Sequence, residues 1–209
     1  MYVENGKYLR LDTTDLYEVN VGGRIHSGLV RKTAGGENIQ VANGTIVKIG
    51  LPIADVSLEV REMIPASEGD AIEELGIVMK PEMVYDESSA KYKQFGYFRN
   101  EAGKPVPVIP FHVGDIITLS QDFLPTADLE TLAVGQVYKI QAADVPGEGG
   151  QLVKSEGTKS PDTDGTTVEG GVEFHVIGIK NSHKAVYIDK NGQRFPAPYK
   201  LIELAVVAK

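Results

Sequence analysis

Apolar and polar residues alternate along short stretches of the chain, with the period of two that is typical of half-buried β-strands. In residues 56–60, Val56, Leu58 and Val60 alternate with polar neighbours. Residues 202–208 carry Ile, Leu, Val and Ala at every second position. Both stretches are therefore predicted to be strands with one buried face.

The alternation breaks once inside a predicted strand. The apolar face of residues 172–176 moves by one residue at Ile177, beside Gly178. A slip of one residue indicates a β-bulge, which bends a strand as a barrel or a curled sheet requires.

Turn residues divide the strands from one another. Asn-Gly pairs at Asn5, Asn43 and Asn191 each lie between strand-like segments. Asn and Gly both tolerate positive φ, which a two-residue type I′ turn requires, so each pair predicts a hairpin. Further strands are expected at residues 77–79, 115–119 and 137–140, and no internal repeat is apparent. Helix is scarce, with one or two turns expected at residues 67–75 and 90–98.

These patterns predict a mainly β fold: an N-terminal hairpin and arm, a central β domain and a C-terminal β-barrel-like unit, with little helix. The expected divisions are residues 1–38 for the hairpin and extended arm, 39–105 for the central domain and 106–209 for the barrel-like domain. Within the last, residues 146–171 are rich in Gly, Ser, Asp and Thr and predict a long exposed loop.

Composition excludes several classes of protein. The chain has 209 residues, a net charge of −8 and no Cys, so disulfides and thiolate metal sites are excluded. No basic cluster exceeds Arg31-Lys32, which disfavours nucleic acid as a partner. No apolar run reaches about 20 residues and no signal peptide is evident, so we expect a protein made in a cytoplasm, without a membrane partner.

Candidate catalytic and metal-binding residues do not form a recognised pattern. His175 and His183 lack a neighbouring carboxylate in a metal-ligand spacing, and residues 161–167 lack the Glu that a calcium loop needs at its last position. The AGKP segment at residues 102–105 lacks the spacing of a phosphate-binding loop. We therefore expect no catalytic residues, no metal and no cofactor, and a protein that is not an enzyme.

Several short segments occur in an order that resembles a known family. They are NGTIVKIGL (43–51), Pro81-Glu82, Tyr85-Asp86-Glu87, NEAGK (100–104), Gly114-Asp115-Ile116 and VGQVYKI (134–140). Together they resemble the capsid decoration, or cement, proteins of tailed bacteriophages, which are encoded beside the major capsid protein. The resemblance covers roughly the middle half of the chain.

The resemblance implies a structural protein of the virion. Such a protein binds the outer surface of the assembled head and stabilises contacts between major capsid proteins. It implies the major capsid protein lattice as the partner, the outside of the capsid as the location and synthesis in the cytoplasm of the bacterial host. A homo-oligomer is consistent with this role, and a trimer matches the threefold positions of a capsid.

Two segments are candidates for the capsid interface. The first is the Gly-rich stretch 21–36, whose basic residues we expect to pair with capsid carboxylates from an extended arm. The second is a dense aromatic cluster, for which core packing is the simpler interpretation and a subunit contact the alternative. The candidate interface residues are Arg24, Arg31, Lys32, Tyr92, Phe95, Tyr97 and Phe98.

Two alternatives come from other functional classes. A β-module of the virion that binds host-surface carbohydrate requires a flat platform of exposed aromatic residues, and the absence of Trp weakens this interpretation. A hydrolase of capsular polysaccharide requires paired carboxylates in a groove.

Overall fold

The computed structural model describes residues 25–80, 100–121, 124, 128–141, 150–155, 171–188 and 194–208, of which 120, 182–188 and 194–199 by their backbone alone. The described residues form ten strands, with a 3₁₀ helix at Ile72–Glu74. The strands are β1 (His26–Val30), β2 (Ile46–Ile53), β3 (Ser57–Pro65), β4 (Leu75–Val78), β5 (Val106–Pro110), β6 (Ile116–Ser120), β7 (Val137–Ile140), β8 (Leu152–Lys154), β9 (Val172–Ile188) and β10 (Arg194–Ala208). The prediction of a mainly β protein is confirmed.

The first five strands close into a barrel with the strand order β1-β3-β2-β4-β5. The barrel closes where β5 pairs with β1, with Val108 opposite His26. Strands β1 and β3 run parallel, whereas the other neighbours are antiparallel. A barrel of so few strands has room inside only for its own side chains. Val47, Met63 and Val108 fill it and are wholly buried.

The other five strands form a second sheet in the order β6-β10-β9-β7-β8, with antiparallel neighbours throughout. The register between β9 and β10 shifts between the pair Gly178–Glu203 and the pair Val176–Leu204, so Ile177 is an extra residue in β9. The β-bulge predicted beside Gly178 is confirmed.

Strands β9 and β10 form one long hairpin. Their antiparallel pairing reaches Ile188 and Arg194, which confirms the hairpin predicted around Asn191; Asn191 itself lies outside the described residues. Along this hairpin, strand β6 covers only residues 201–205 of β10, and strand β7 covers only residues 173–175 of β9. Among the described strands, the far half of this hairpin is therefore a two-stranded ribbon.

The barrel and the second sheet share one hydrophobic core. Side chains from the barrel, among them Ile46, Leu75 and Ile109, pack in the same cluster as side chains of the second sheet. Phe111, which directly follows β5, meets Phe174 of β9 edge to face, with ring centroids 5.7 Å apart and planes at 72°. The two sheets are thus joined by continuous apolar packing.

The expected division of the chain differs from this arrangement in two respects. Strand β5 (Val106–Pro110) belongs to the barrel, although the sequence suggested a new domain from residue 106. The five strands of the closed barrel lie between residues 26 and 110, and the C-terminal unit is a five-stranded sheet. The reason is that β5 pairs on both sides with earlier strands, β1 and β4, which the local apolar pattern of β5 cannot indicate.

Three β-turns with the same hydrogen bonds precede strands β2, β6 and β7. In each turn the third residue is a Gly with φ of 88–90°, which strongly favours Gly at that position. The Gly N–H donates to the carbonyl of a buried Val on another strand, and that Val N–H donates back to the carbonyl of the residue after the Gly. The turns are Ala42–Thr45, His112–Asp115 and Ala133–Gln136, and their partners are Val78, Val206 and Val176, respectively.

The hairpin predicted at Asn43-Gly44 is therefore wrong. The segment before the turn forms a bridge from Val41 to Asn100, while β2 after the turn pairs with β3 and β4. The two flanking segments do not pair with each other, because each has a buried partner from elsewhere in the chain. The third Asn-Gly pair, at Asn5, lies outside the described residues.

The predicted loop at residues 146–171 contains a strand of the second sheet. Strand β8 (Leu152–Lys154) pairs with β7, and Leu152 is 1% exposed. Gly150, just before β8, donates its N–H to the carbonyl of Ala66 and accepts a hydrogen bond from the N–H of Ile46. This part of the segment joins the second sheet to the barrel, and residues 156–170 lie outside the described residues.

Candidate functional site

The basic residues expected on an extended arm lie at the barrel instead, where they are described. Strand β1 (His26–Val30) is a strand of the barrel, with Leu29 and Val30 buried, which differs from the arm expected over this part of the stretch 21–36. Apolar residues at the end of β1 are buried against β3 and β5, and this holds the stretch in place. Arg24 lies outside the described residues.

Arg31 is engaged within the molecule. Its Nη1 donates to Oε1 of Glu62 at 2.8 Å, and the N–H of Gly35 donates to the same oxygen at 2.7 Å. Both charged side chains are only 22% exposed. Lys32 is exposed, and its backbone N–H donates to the carbonyl of Glu37. Of the two neighbours Arg31 and Lys32, only Lys32 has an exposed side chain.

Tyr92, Phe95, Tyr97 and Phe98 lie outside the described residues, as do the segments Pro81-Glu82 and Tyr85-Asp86-Glu87 that contribute to the resemblance. The structure does describe the other segments of that resemblance, and it brings two of them together.

Asn43 and Asn100 join two of these segments through a buried polar network. Asn100 Nδ2 donates to Asn43 Oδ1 at 3.1 Å, and the same oxygen accepts the N–H of Lys80 at 3.0 Å. Asn43 Nδ2 donates to the carbonyl of Lys80 at 2.7 Å. Both Asn side chains are buried, so the loop that begins at Asn100 is held beside the turn that precedes β2.

Among the described residues, a group of exposed apolar side chains lies at one end of the barrel. We name it the barrel-end patch, and it consists of Ile25, Leu51, Val56 and Leu58. Leu51 and Leu58 are 80% and 79% exposed, and Ile25 and Val56 are 64% and 53% exposed. Single exposed apolar residues are ordinary on a protein surface, whereas a group of large ones marks an interaction surface.

The topology places these four residues at the same end. Leu51 lies near the end of β2, Val56 lies in the hairpin connection directly before β3, and Leu58 lies at the start of β3. Strand β1 runs parallel to β3, with Ser27 opposite Val60. Ile25 directly precedes β1 and therefore lies at the same end of the barrel as Leu58. The opposite ends of β2 and β3, at Ile46 and Ala66, belong to the core shared with the second sheet. The patch therefore lies at the hairpin end of β2 and β3, opposite Ile46 and Ala66.

The sequence pattern identified this strand but assigned its face wrongly. Val56, Leu58 and Val60 were expected to share a buried face, and only Val60 is buried, at 9% exposed. The register between β2 and β3 shifts between Ile49 and Pro52 and again between Pro52 and Ile53, so the regular alternation does not continue through residues 57–61.

The charges beside the patch are acidic. Asp55 in the connection and Glu59 on β3 are both exposed, and neither forms an ion pair with another described residue. The guanidinium of Arg61, also on β3, donates to the carbonyl of Gly50 at 3.1 Å. The barrel end thus combines exposed apolar side chains with two carboxylates that form no ion pair with a described residue.

Smaller exposed apolar residues lie on the second sheet. Val113 and Val134 are each 62% exposed and occupy the second position of two of the recurring turns. Beside Val113, Nδ1 of His112 lies 3.5 Å from Oδ2 of Asp115. Ile116 on β6 and Ile177 on β9 are also exposed, at 44% and 43%, so four exposed aliphatic side chains lie on or beside the second sheet.

Several ionisable groups in the described part of the chain form structural contacts. Lys48 Nζ lies 2.8 Å from Oδ1 of Asp70 and 2.9 Å from Oε2 of Glu74, and the hydrogen bond to Asp70 is the main cause of a raised pKa of Lys48. Burial raises the pKa of Tyr138 to about 12. No group of three or more His, Cys, Asp or Glu among the described residues could hold a metal ion.

Searches for related proteins add no assignment. Comparisons of the chain with protein-family models, with curated proteins and with solved structures each found no match. Within the described residues, no helix is long and apolar enough to cross a membrane.

Proposed function

We propose that this chain is a non-enzymatic virion protein that binds the outer surface of a tailed-phage capsid and stabilises contacts between major capsid proteins. Its partner is the capsid lattice, and it is made in the host cytoplasm before it binds the head surface. The proposal needs no cofactor, metal, nucleic acid or membrane.

The observation that carries the proposal is the order of the family-like segments, together with the structural role of their residues. Gly44, Gly103, Gly114 and Gly135 in these segments all have positive φ and form turns. Turn glycines and the buried Asn43 determine the backbone path, so residues of the family-like segments have structural roles in this chain. The proposal takes its support from the order of these segments.

The physical mechanism is stabilisation by mass action. A protein that binds the expanded shell better than the unexpanded one shifts the equilibrium towards the expanded shell and opposes its disruption. A net charge of −8 suits a protein that must stay dispersed at high copy number before assembly.

The alternative of a carbohydrate-binding module gains no support from the described residues. The aromatic side chains whose burial is known, Phe111, Tyr138 and Phe174, are at most 3% exposed. A stacking platform for sugar rings needs exposed aromatic faces. The large exposed apolar residues in this part of the chain are aliphatic instead.

Co-sedimentation tests the proposal. Purified protein is mixed with empty expanded heads of the phage that encodes it and, as the matched control, with unexpanded proheads. Saturable binding to expanded heads, with weaker binding to proheads, is the expected result. Failure to bind either shell, combined with binding to host glycans on an array, would replace the proposal with the carbohydrate-binding alternative.

A further inference from the structure

We propose that the barrel-end patch is the surface that contacts the capsid, and that its docking site is an apolar depression rimmed by Lys or Arg side chains of the shell. This inference rests on the function proposed above and adds which face of the molecule binds and what chemistry receives it. Ile25, Leu51, Val56 and Leu58 supply the apolar contact, and Asp55 and Glu59 supply the charge.

The exposure of the patch is the first argument. Leu51 and Leu58 are about four-fifths exposed, although the same strands bury Val47, Val60 and Met63. Exposed leucines at this density gain nothing in the isolated chain, since their apolar surface remains in water. Burial in a partner recovers that free energy, so the hairpin end is suited to a protein contact.

The charges decide between two kinds of partner. If two copies of this chain met patch to patch around a twofold axis, Asp55 and Glu59 of one copy would face the same carboxylates of the other. Like charges placed together across an interface oppose association. A partner with cations around an apolar site instead pairs with both features of the patch.

The size of the patch points the same way. Stable, specific dimers bury about 800 Å² on each partner, which is more than four side chains supply. A contact of this size is weak when made once. It suits a protein that binds a repeating lattice, where a second contact or a neighbouring copy adds to the affinity.

Substitution of exposed residues tests the inference on the full chain. The double variant Leu51→Ser/Leu58→Ser removes most of the apolar surface of the patch, and we expect its affinity for expanded heads to fall at least about tenfold. Val113→Ser/Val134→Ser is the matched control, because it removes two exposed aliphatic side chains from the second sheet. We expect its binding to equal that of wild type.

A charge variant provides an independent readout. Asp55→Asn/Glu59→Gln keeps the side-chain shapes and removes both charges. Wild-type binding should weaken as salt rises, and this variant should bind several-fold more weakly at low salt and respond less to salt. If circular dichroism shows that the Leu51→Ser/Leu58→Ser variant is poorly folded, the charge variant still tests the inference.

The possible results separate the two proposals. If wild type binds expanded heads and both patch variants bind equally well, the capsid contact lies elsewhere and only this inference is overturned. Wild type that binds no heads overturns the proposed function together with the inference. A concentration-dependent dimer that the Leu double variant abolishes would identify a second copy of this chain as the occupant, and would also overturn the inference.

Discussion

Asn43 has a structural role that its place in an Asn-Gly pair does not reveal. The pair predicted a hairpin, and the structure uses the Asn side chain to join three segments of the chain instead. Its amide donates to the carbonyl of Lys80, and its oxygen accepts from the N–H of Lys80 and from Asn100. Local sequence favours a turn here, but the partners lie 37 and 57 residues away and could not be inferred from it.

Asn43→Asp should destabilise the protein. A carboxylate at this buried position loses the donor to Lys80 and places a charge beside a carbonyl oxygen, which costs about 3 kcal/mol of unfolding free energy. Urea unfolding at neutral pH measures this loss. Asn38→Asp makes the same chemical change at an exposed position and should alter stability by no more than about 0.5 kcal/mol. Equal effects of the two substitutions would contradict the buried network.

The raised pKa of Tyr138 predicts that the protein loses stability at alkaline pH. Burial, aided by the negative charge of Asp128, raises the pKa of Tyr138 from 10.0 to about 12. Between these values the unfolded chain releases the phenolic proton while the folded chain retains it. The folded state then binds more protons, so its stability falls as pH rises from about 10 to 12.

Tyr138→Phe should remove this dependence. At pH 8 the substitution costs about 1 kcal/mol or less, because the hydroxyl makes only a long contact, 3.4 Å, to Oε1 of Gln136. As pH rises from 10 to 12, wild type should lose stability relative to the variant. Unfolding midpoints in urea at pH 8 and pH 11 compare the two proteins, and parallel pH profiles would refute a suppressed ionisation of Tyr138.

At the scale of the element, sequence pattern located strands well and their partners poorly. The predicted strand at residues 137–140 coincides with β7, and the slip beside Gly178 is the bulge of β9. Alternation reports only that one face is apolar. It cannot report that the register between β2 and β3 shifts beside these residues, which is why Val56 and Leu58 were expected to be buried.

Gly150 connects the second sheet to the barrel through backbone hydrogen bonds. It lies just before β8 and hydrogen-bonds to Ile46 and Ala66 of the barrel. Its φ is 84°, and a Cβ placed on it would lie 2.2 Å from the carbonyl oxygen of Ile46. Backbone atoms would have to move to admit any side chain.

Gly150→Ala should therefore destabilise the protein more than the conformation alone explains. Gly135→Ala is the matched control, since Gly135 has φ of 89° and a methyl group added there would meet no heavy atom within 4 Å. The control should cost about 1–2 kcal/mol from its positive φ, and Gly150→Ala should exceed it by about 2 kcal/mol. Thermal or urea unfolding measures both, and equal losses would mean that the loop and the barrel are not in close contact.

At the scale of the whole molecule, the shared core makes the barrel and the sheet a single packed unit. The rings of Phe111 and Phe174 are in contact between the barrel and the second sheet. Nζ of Lys139 on β7 lies 2.6 Å from Oε1 of Glu68, which follows β3. The sequence suggested separate domains because composition changes at the loops. It could not indicate that apolar faces on both sides of a loop pack together.

Binding to heads should raise the temperature at which the heads break down. A ligand present at 100 times its dissociation constant stabilises the state it binds by about 2.7 kcal/mol per site. Heads saturated with protein should therefore release their contents at a higher temperature than bare heads, as followed by light scattering. Heads mixed with Leu51→Ser/Leu58→Ser at the same concentration should behave like bare heads, and no difference between wild type and variant would argue against stabilisation through the patch.

Electron cryo-microscopy of expanded heads saturated with the protein tests the central claim most directly. The account predicts added density on the outer surface at regular lattice positions, with the barrel-end patch in contact with the shell. A shell without added density, or density confined to the inside of the head or to the tail, would contradict it.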